Sequence, residues 1–170
     1  MTRGPVTDAP PAARRTTASP APSPARTVAR IALGAGLLFT GTAHLTTSRT
    51  TFQAQVPTWM PLDADLVVVV SGIVELALGA ALILLPRHRV VIGWTVAAFF
   101  VAIFPGNISQ YVTGTSAFGL DSDTARLVRL FFQPVLVVWA LWSTGAWAAW
   151  RARRRYRTGG SGSTGGGSAG

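Results

Sequence analysis

Four long apolar runs dominate the chain between residues 29 and 150, separated by short polar stretches. A helix rising ~1.5 Å per residue needs ~20 mostly apolar residues to cross ~30 Å of hydrocarbon. The runs meet that requirement at residues 29–48, 64–85, 90–108 and 127–150. A soluble core is built instead from shorter alternating or amphipathic pieces. The pattern therefore predicts an all-α fold, a four-transmembrane-helix bundle, with the lipid bilayer as its solvent.

The flanks are of a different character. Residues 1–27 are rich in Pro, Ala, Ser, Thr and Arg and too poor in apolar groups to offset the entropy of ordering, which predicts a disordered tail. The chain ends in a basic stretch followed by a Gly/Ser-rich coil over residues 152–170, a composition without packing capacity. A single membrane domain is expected over residues 28–151. Arg14 and Arg15 are followed by Thr-Thr-Ala rather than by an apolar stretch, and no small-residue cleavage site follows Leu45, so neither an export signal nor a cleaved leader is read here.

Charge then orients the bundle. The formal charge is +9 and every basic residue other than His is arginine. Five arginines lie before or at the start of the first run, Arg87 and Arg89 lie between the second and third, and five follow the fourth. The other two connections hold Arg49, Arg126 and Arg129 together with Asp63, Asp65, Asp121 and Asp123. Basic and acidic connections alternate, and the positive-inside rule converts that alternation into both termini on the cytoplasmic side of an inner (plasma) membrane. Arginines spread over tails and one loop do not form a nucleic-acid-binding face. With no cysteine in the chain, thiol chemistry, cysteine-ligated zinc and iron–sulfur clusters are excluded.

Charged or strongly polar groups in hydrocarbon cost several kcal/mol unless paired or hydrated, and so call for a functional reading. Apart from Arg30 and Asp65, each one residue from a run's end, five stand within the runs: His44, Glu75, Asn107, Arg129 and Gln133. Counting along the helices places four of them toward the non-basic end and Glu75 near the middle, so all five can line one outward-facing pocket. Pro105 and Pro134, which lie beside Asn107 and Gln133, each free a backbone carbonyl, which is tolerated at membrane depth only when buried or facing water. Glu75 and His44 are the proton-relay candidates; Arg129 is also a candidate ion-pair partner for Glu75, and Asn107 and Gln133 can equally tie helices together. His44 and Glu75 alone are too few for a metal site. Between the first two runs, Phe52, Val56, Trp59 and Met60 recur at helical spacing, which predicts a segment lying flat at the membrane interface.

Five short motifs occur in order: GTAHL, VPTWMP, SGIVELALG, FPGNI and RLFFQPVLVVW. Together they resemble the DoxX-like family of small four-helix membrane proteins, over Val28 to Trp150. The match falls on His44, Pro57, Trp59, Pro61, Ser71, Gly72, Glu75, Gly79, Pro105, Asn107, Arg129 and Gln133. Leu45 and Gly106 depart from it, standing where an aromatic and an alanine are common. The resemblance implies an accessory subunit of a membrane redox system rather than a stand-alone enzyme, with a quinone as the lipophilic ligand and a membrane or redox protein as partner. The alternative is a non-catalytic scaffold or assembly factor. A small transporter would need inverted repeats or paired broken helices, and neither is found. Self-association into a homo-oligomer stays open.

Overall fold

The computed structural model describes residues 23–115 and 122–159, with side chains to residue 155. Among them the elements are helical: α1 Pro24–Leu45, α2 Arg49–Gln53, α3 Ala64–Leu84, a 3-10 turn Pro86–His88, α4 Arg89–Thr113, α5 Asp123–Ser143 and α6 Ala146–Gly159. Helices α1, α3, α4 and α5 are long and apolar enough to cross a membrane. Their outward faces are apolar, with Phe39 76% and Phe131 69% exposed, whereas Glu75, Gln133 and Gln110 are buried. That inversion is what a bilayer demands of a chain.

Local chemistry sets the ends. Pro24 opens α1, where its missing N–H costs nothing. The Asp63 carboxylate accepts from the Leu66 N–H at 2.9 Å to cap α3, and the Ser122 hydroxyl accepts from the Ala125 N–H at 3.2 Å to cap α5. Gly114, at φ 65°, closes α4 in the left-handed region.

Three boundaries depart from expectation. The first span starts at Pro24 and ends at Leu45 rather than running over 29–48. The third continues through Pro105 to Thr113, past residue 108. The fourth, expected unbroken over 127–150, is two helices. α5 ends at Ser143, Gly145 takes φ 75°, and α6 begins at Ala146. A glycine adopts that conformation without the penalty of a Cβ, so the backbone can leave one helix and start another within two residues. The basic stretch placed with the disordered tail is consequently helical as far as Gly159. Of the tail expected to be disordered over residues 1–27, Pro24 to Thr27 belong to α1, because the helix starts ahead of its apolar stretch; residues 1–22 and the Gly/Ser segment 160–170 fall outside the described residues.

The four long helices run alternately up and down and pack as two close pairs, α1 with α3 and α4 with α5. Glycines make the first pair possible. A Cβ on Gly79 would stand 2.7 Å from the Gly34 carbonyl oxygen, and one on Gly41 would stand 2.8 Å from that of Gly72. Small residues let backbones approach where lipid offers no hydrophobic drive to association. In the second pair Gly93 packs directly against Thr144. Between the pairs contact is looser, with the Trp139 indole N–H donating to the Ala29 carbonyl at 3.0 Å across α5 and α1.

Packing is uneven along the axis. Leu33, Leu82, Ile92, Val96, Ala140 and Ala146 form a closed core toward the end that carries Arg26, Arg87, Arg89 and α6. Toward the opposite end, beneath α2, the pairs diverge and leave a hollow.

Candidate functional site

The hollow is a cavity of about 720 Å³ between the two helix pairs. Ala32, Gly36 and Thr40 on α1, Ser71 on α3, Phe99 and Ile103 on α4, and Phe132 and Leu136 on α5 line its walls. Segment 52–60 roofs it with Phe52, Gln55, Val56, Pro57, Trp59 and Met60. The interfacial segment expected from sequence is therefore folded inward over the site, although Trp59 remains 67% exposed. The roof is fixed to α3 by Asp65, which accepts from Arg49 Nε at 2.6 Å, from Arg49 Nη2 and from Gln53 Nε2 at 2.7 Å. This hydrogen bonding raises the Arg49 guanidinium above its ordinary range. The pair is half exposed, so it positions the roof more than it stabilises the fold.

His44, Glu75, Asn107, Arg129 and Gln133 all line the cavity. They fall into three groups. His44 and Glu75 face each other across the α1/α3 pair, where the glycines bring the two backbones close, with His44 Nδ1 3.0 Å from Glu75 Oε2. The same Nδ1 lies 2.9 Å from the Thr40 carbonyl oxygen with hydrogen-bond geometry. With its proton on Nδ1, His44 thus donates to its own helix, and its contact with Glu75 has ion-pair distance without a hydrogen bond. Glu75 Oε2 is left buried with no hydrogen-bond partner among the described residues. Phe52 stacks on the imidazole at 3.5 Å between ring centroids, fixing its plane.

Asn107 and Gln133 form the second group. Asn107 Nδ2 donates to Gln133 Oε1 at 3.0 Å, and Gln133 Nε2 donates to the Phe100 carbonyl at 2.7 Å. Pro105 deprives the adjacent Val101 carbonyl of its helical donor, so the network sits where α4 is weakest. These two residues tie α4 to α5. Gln133→Leu leaves the Asn107 amide and the Phe100 carbonyl without these bonds and is expected to lower unfolding stability by ~1–3 kcal/mol. Thermal unfolding in detergent measures it, and an unchanged midpoint would contradict the tie.

In the third group Arg129 Nη2 donates to Gln55 Oε1 at 2.8 Å, joining α5 to the roof. The titratable side chain that the structure places against Glu75 is His44. Gln55 escaped the sequence reading because it lies outside the apolar runs, yet its Nε2 is buried without a hydrogen-bond partner among the described residues. Other polar residues were also missed. Gln110, 2% exposed, donates to the Thr115 carbonyl at 3.3 Å, and Arg30, assigned to the region before the first span, is buried at 6% exposure. Only helical register could have revealed Arg30, four residues before Gly34 on the packed face of α1.

A family model described as a domain of unknown function, DUF8561, matches residues 33–144, about two thirds of the chain. The chain belongs to the DUF8561 family. The matched stretch of this DUF8561 protein begins within α1, ends at the close of α5 and contains every polar residue of the cavity. No curated protein and no solved structure matches the chain. No group of three or more His, Cys, Asp or Glu able to hold a metal occurs among the described residues.

Proposed function

We propose that this chain is a multi-pass membrane subunit that holds a lipophilic small molecule of the quinone class in the cavity beneath α2. The observation that carries the reading is a largely apolar hollow of ligand size in which a buried carboxylate oxygen and a buried amide nitrogen both lack hydrogen-bond partners among the described residues. Ligand sites are typically hollows of ~300–1,000 Å³ with a few placed polar groups. Unsatisfied buried polar atoms are costly enough to call for an occupant. Gln55 Nε2 offers a donor to a carbonyl oxygen, with the Arg129 guanidinium beside it. Glu75 offers an acceptor to a hydroxyl, with His44 beside it as a second proton carrier. One ring bearing an oxygen at each side can meet both: the quinol satisfies the two together, and the quinone satisfies the donor at Gln55.

In this reading electron transfer belongs to a partner subunit, and this chain supplies binding, orientation and the proton. The DoxX-like motifs favour such an accessory role in a membrane redox system. The distribution of arginine over the helix ends favours cytoplasmic termini, and so a cavity on the opposite side of the membrane. The scaffold reading rests on the Asn107–Gln133–Phe100 network, which accounts for two of the five polar residues without a ligand.

Gly36 provides the test. A Cβ built there meets nothing within 4 Å, because the position faces open space in the cavity wall. Gly36→Trp is expected to fill the hollow and abolish saturable binding of a short-chain ubiquinone to the reconstituted protein while leaving thermal stability intact. Undiminished binding in the variant would refute the site.

A further inference from the structure

We infer that a second site, at the opposite end of the bundle, binds the headgroup of an anionic phospholipid. Here α6 turns away from α5 at Gly145 and leaves an open groove of about 810 Å³. Its floor is apolar, formed by Val138, Leu141 and Trp142. Its rim carries Arg26 from the first turn of α1, and Arg151 and Arg155 from α6. Residues 147, 151 and 155 share one face of α6 at four-residue spacing, so two guanidiniums are presented to the same groove.

Charge complementarity identifies the occupant. The described acidic residues are Asp63 and Asp65 at the start of α3, Glu75 within it, and Asp123 at the start of α5, all away from the arginine end. Arg26, Arg30, Arg87, Arg89, Arg151 and Arg155 therefore stand at an end of the bundle with no described carboxylate. One turn inward from Arg26, Arg30 is 6% exposed and its Nη1 is buried with no hydrogen-bond partner among the described residues. The Arg151 guanidinium carbon lies 5.3 Å from the centroid of the Trp147 ring, which limits its freedom and orients its donors. A phosphate accepts from guanidinium forks.

The floor distinguishes a lipid from a free anion. Val138 is 65% and Trp142 46% exposed, both on the outer face of a helix fit to span the membrane. A phosphate tethered to acyl chains covers that floor while its headgroup meets the rim, whereas a free phosphate leaves the floor bare. A choline headgroup would bring its own positive charge among the arginines. Phosphatidylglycerol has the required single negative charge without that cation.

The full chain, purified in neutral detergent, is equilibrated with mixed micelles of phosphatidylglycerol and phosphatidylcholine, and retained lipid is counted by native mass spectrometry. Retention of phosphatidylglycerol over phosphatidylcholine, resistant to excess inorganic phosphate, is the expected result. An arginine near an anionic surface contributes about fivefold in affinity, so R151Q/R155Q should weaken retention about 30-fold and R26Q about fivefold. Arg153, on the opposite face of α6, should be replaceable by Gln without effect. Equal retention of the two lipids, displacement by inorganic phosphate, or full retention by both R151Q/R155Q and R26Q would each overturn the proposal. The wild-type measurements stand even if a variant fails to fold.

Discussion

Glu75→Gln is expected to weaken binding of the quinol form about five- to tenfold while affecting the quinone form much less. The amide has nearly the volume of the carboxylate, so the cavity keeps its shape. What changes is the acceptor. A hydrogen bond from a ligand hydroxyl to a carboxylate is charge-assisted and worth ~1.5–3 kcal/mol, against ~0.5–1.5 kcal/mol for a neutral one. The quinone has no hydroxyl to donate and is held from the Gln55 and Arg129 side. His44→Ala should reduce binding of both forms, because it releases Phe52 from the stacked pair and loosens the roof. Titration of both redox forms into the reconstituted protein, with thermal unfolding in parallel, separates the readings. A fall in stability with unchanged affinity in Glu75→Gln would favour the scaffold function over ligand binding.

Gly79→Leu should be the most damaging single change to the fold. Its Cβ would meet the Gly34 carbonyl at 2.7 Å and the Leu38 backbone nitrogen at 3.0 Å, and neither can swing aside as a side chain can. α1 and α3 would have to separate along the seam that brings His44 to Glu75. The cost should exceed the ~1–3 kcal/mol of ordinary overpacking. Gly36→Leu is the matched control, since it adds the same atoms on α1 where they meet open space. Similar midpoints for Gly79→Leu and the parent chain in detergent would show that close backbone approach does not hold this pair together.

The spans were legible because a bilayer leaves a strong mark on sequence. Long apolar runs have few alternatives, and the five polar residues within them stood out against hydrocarbon. Depth along the helices then sufficed to bring His44, Glu75, Asn107, Arg129 and Gln133 to one cavity. Direction was harder to read. The choice of His44 as the neighbour of Glu75 depends on the Gly41/Gly72 contact, and two glycines seven residues from others of their kind look ordinary until the helices are paired. The break between α5 and α6 was hidden because Trp-Ser-Thr-Gly-Ala-Trp continues the apolar run, and a positive φ at one glycine leaves no mark on hydropathy. Gln55 and Arg30 were missed for a related reason. Polar residues next to a span look solvated unless the chain folds back over the span or the helix starts earlier than its apolar stretch.

In the proposed function, the division of the bundle into two close pairs also determines how the ligand arrives. A hollow at the junction of the pairs is bordered by helix flanks immersed in acyl chains, so a greasy molecule travels to it sideways, within the plane of the membrane. Its occupancy then follows the mole fraction of that molecule among the surrounding lipids rather than its concentration in water. Lengthening a prenyl tail should raise apparent potency through partitioning alone, with no added contact to the protein.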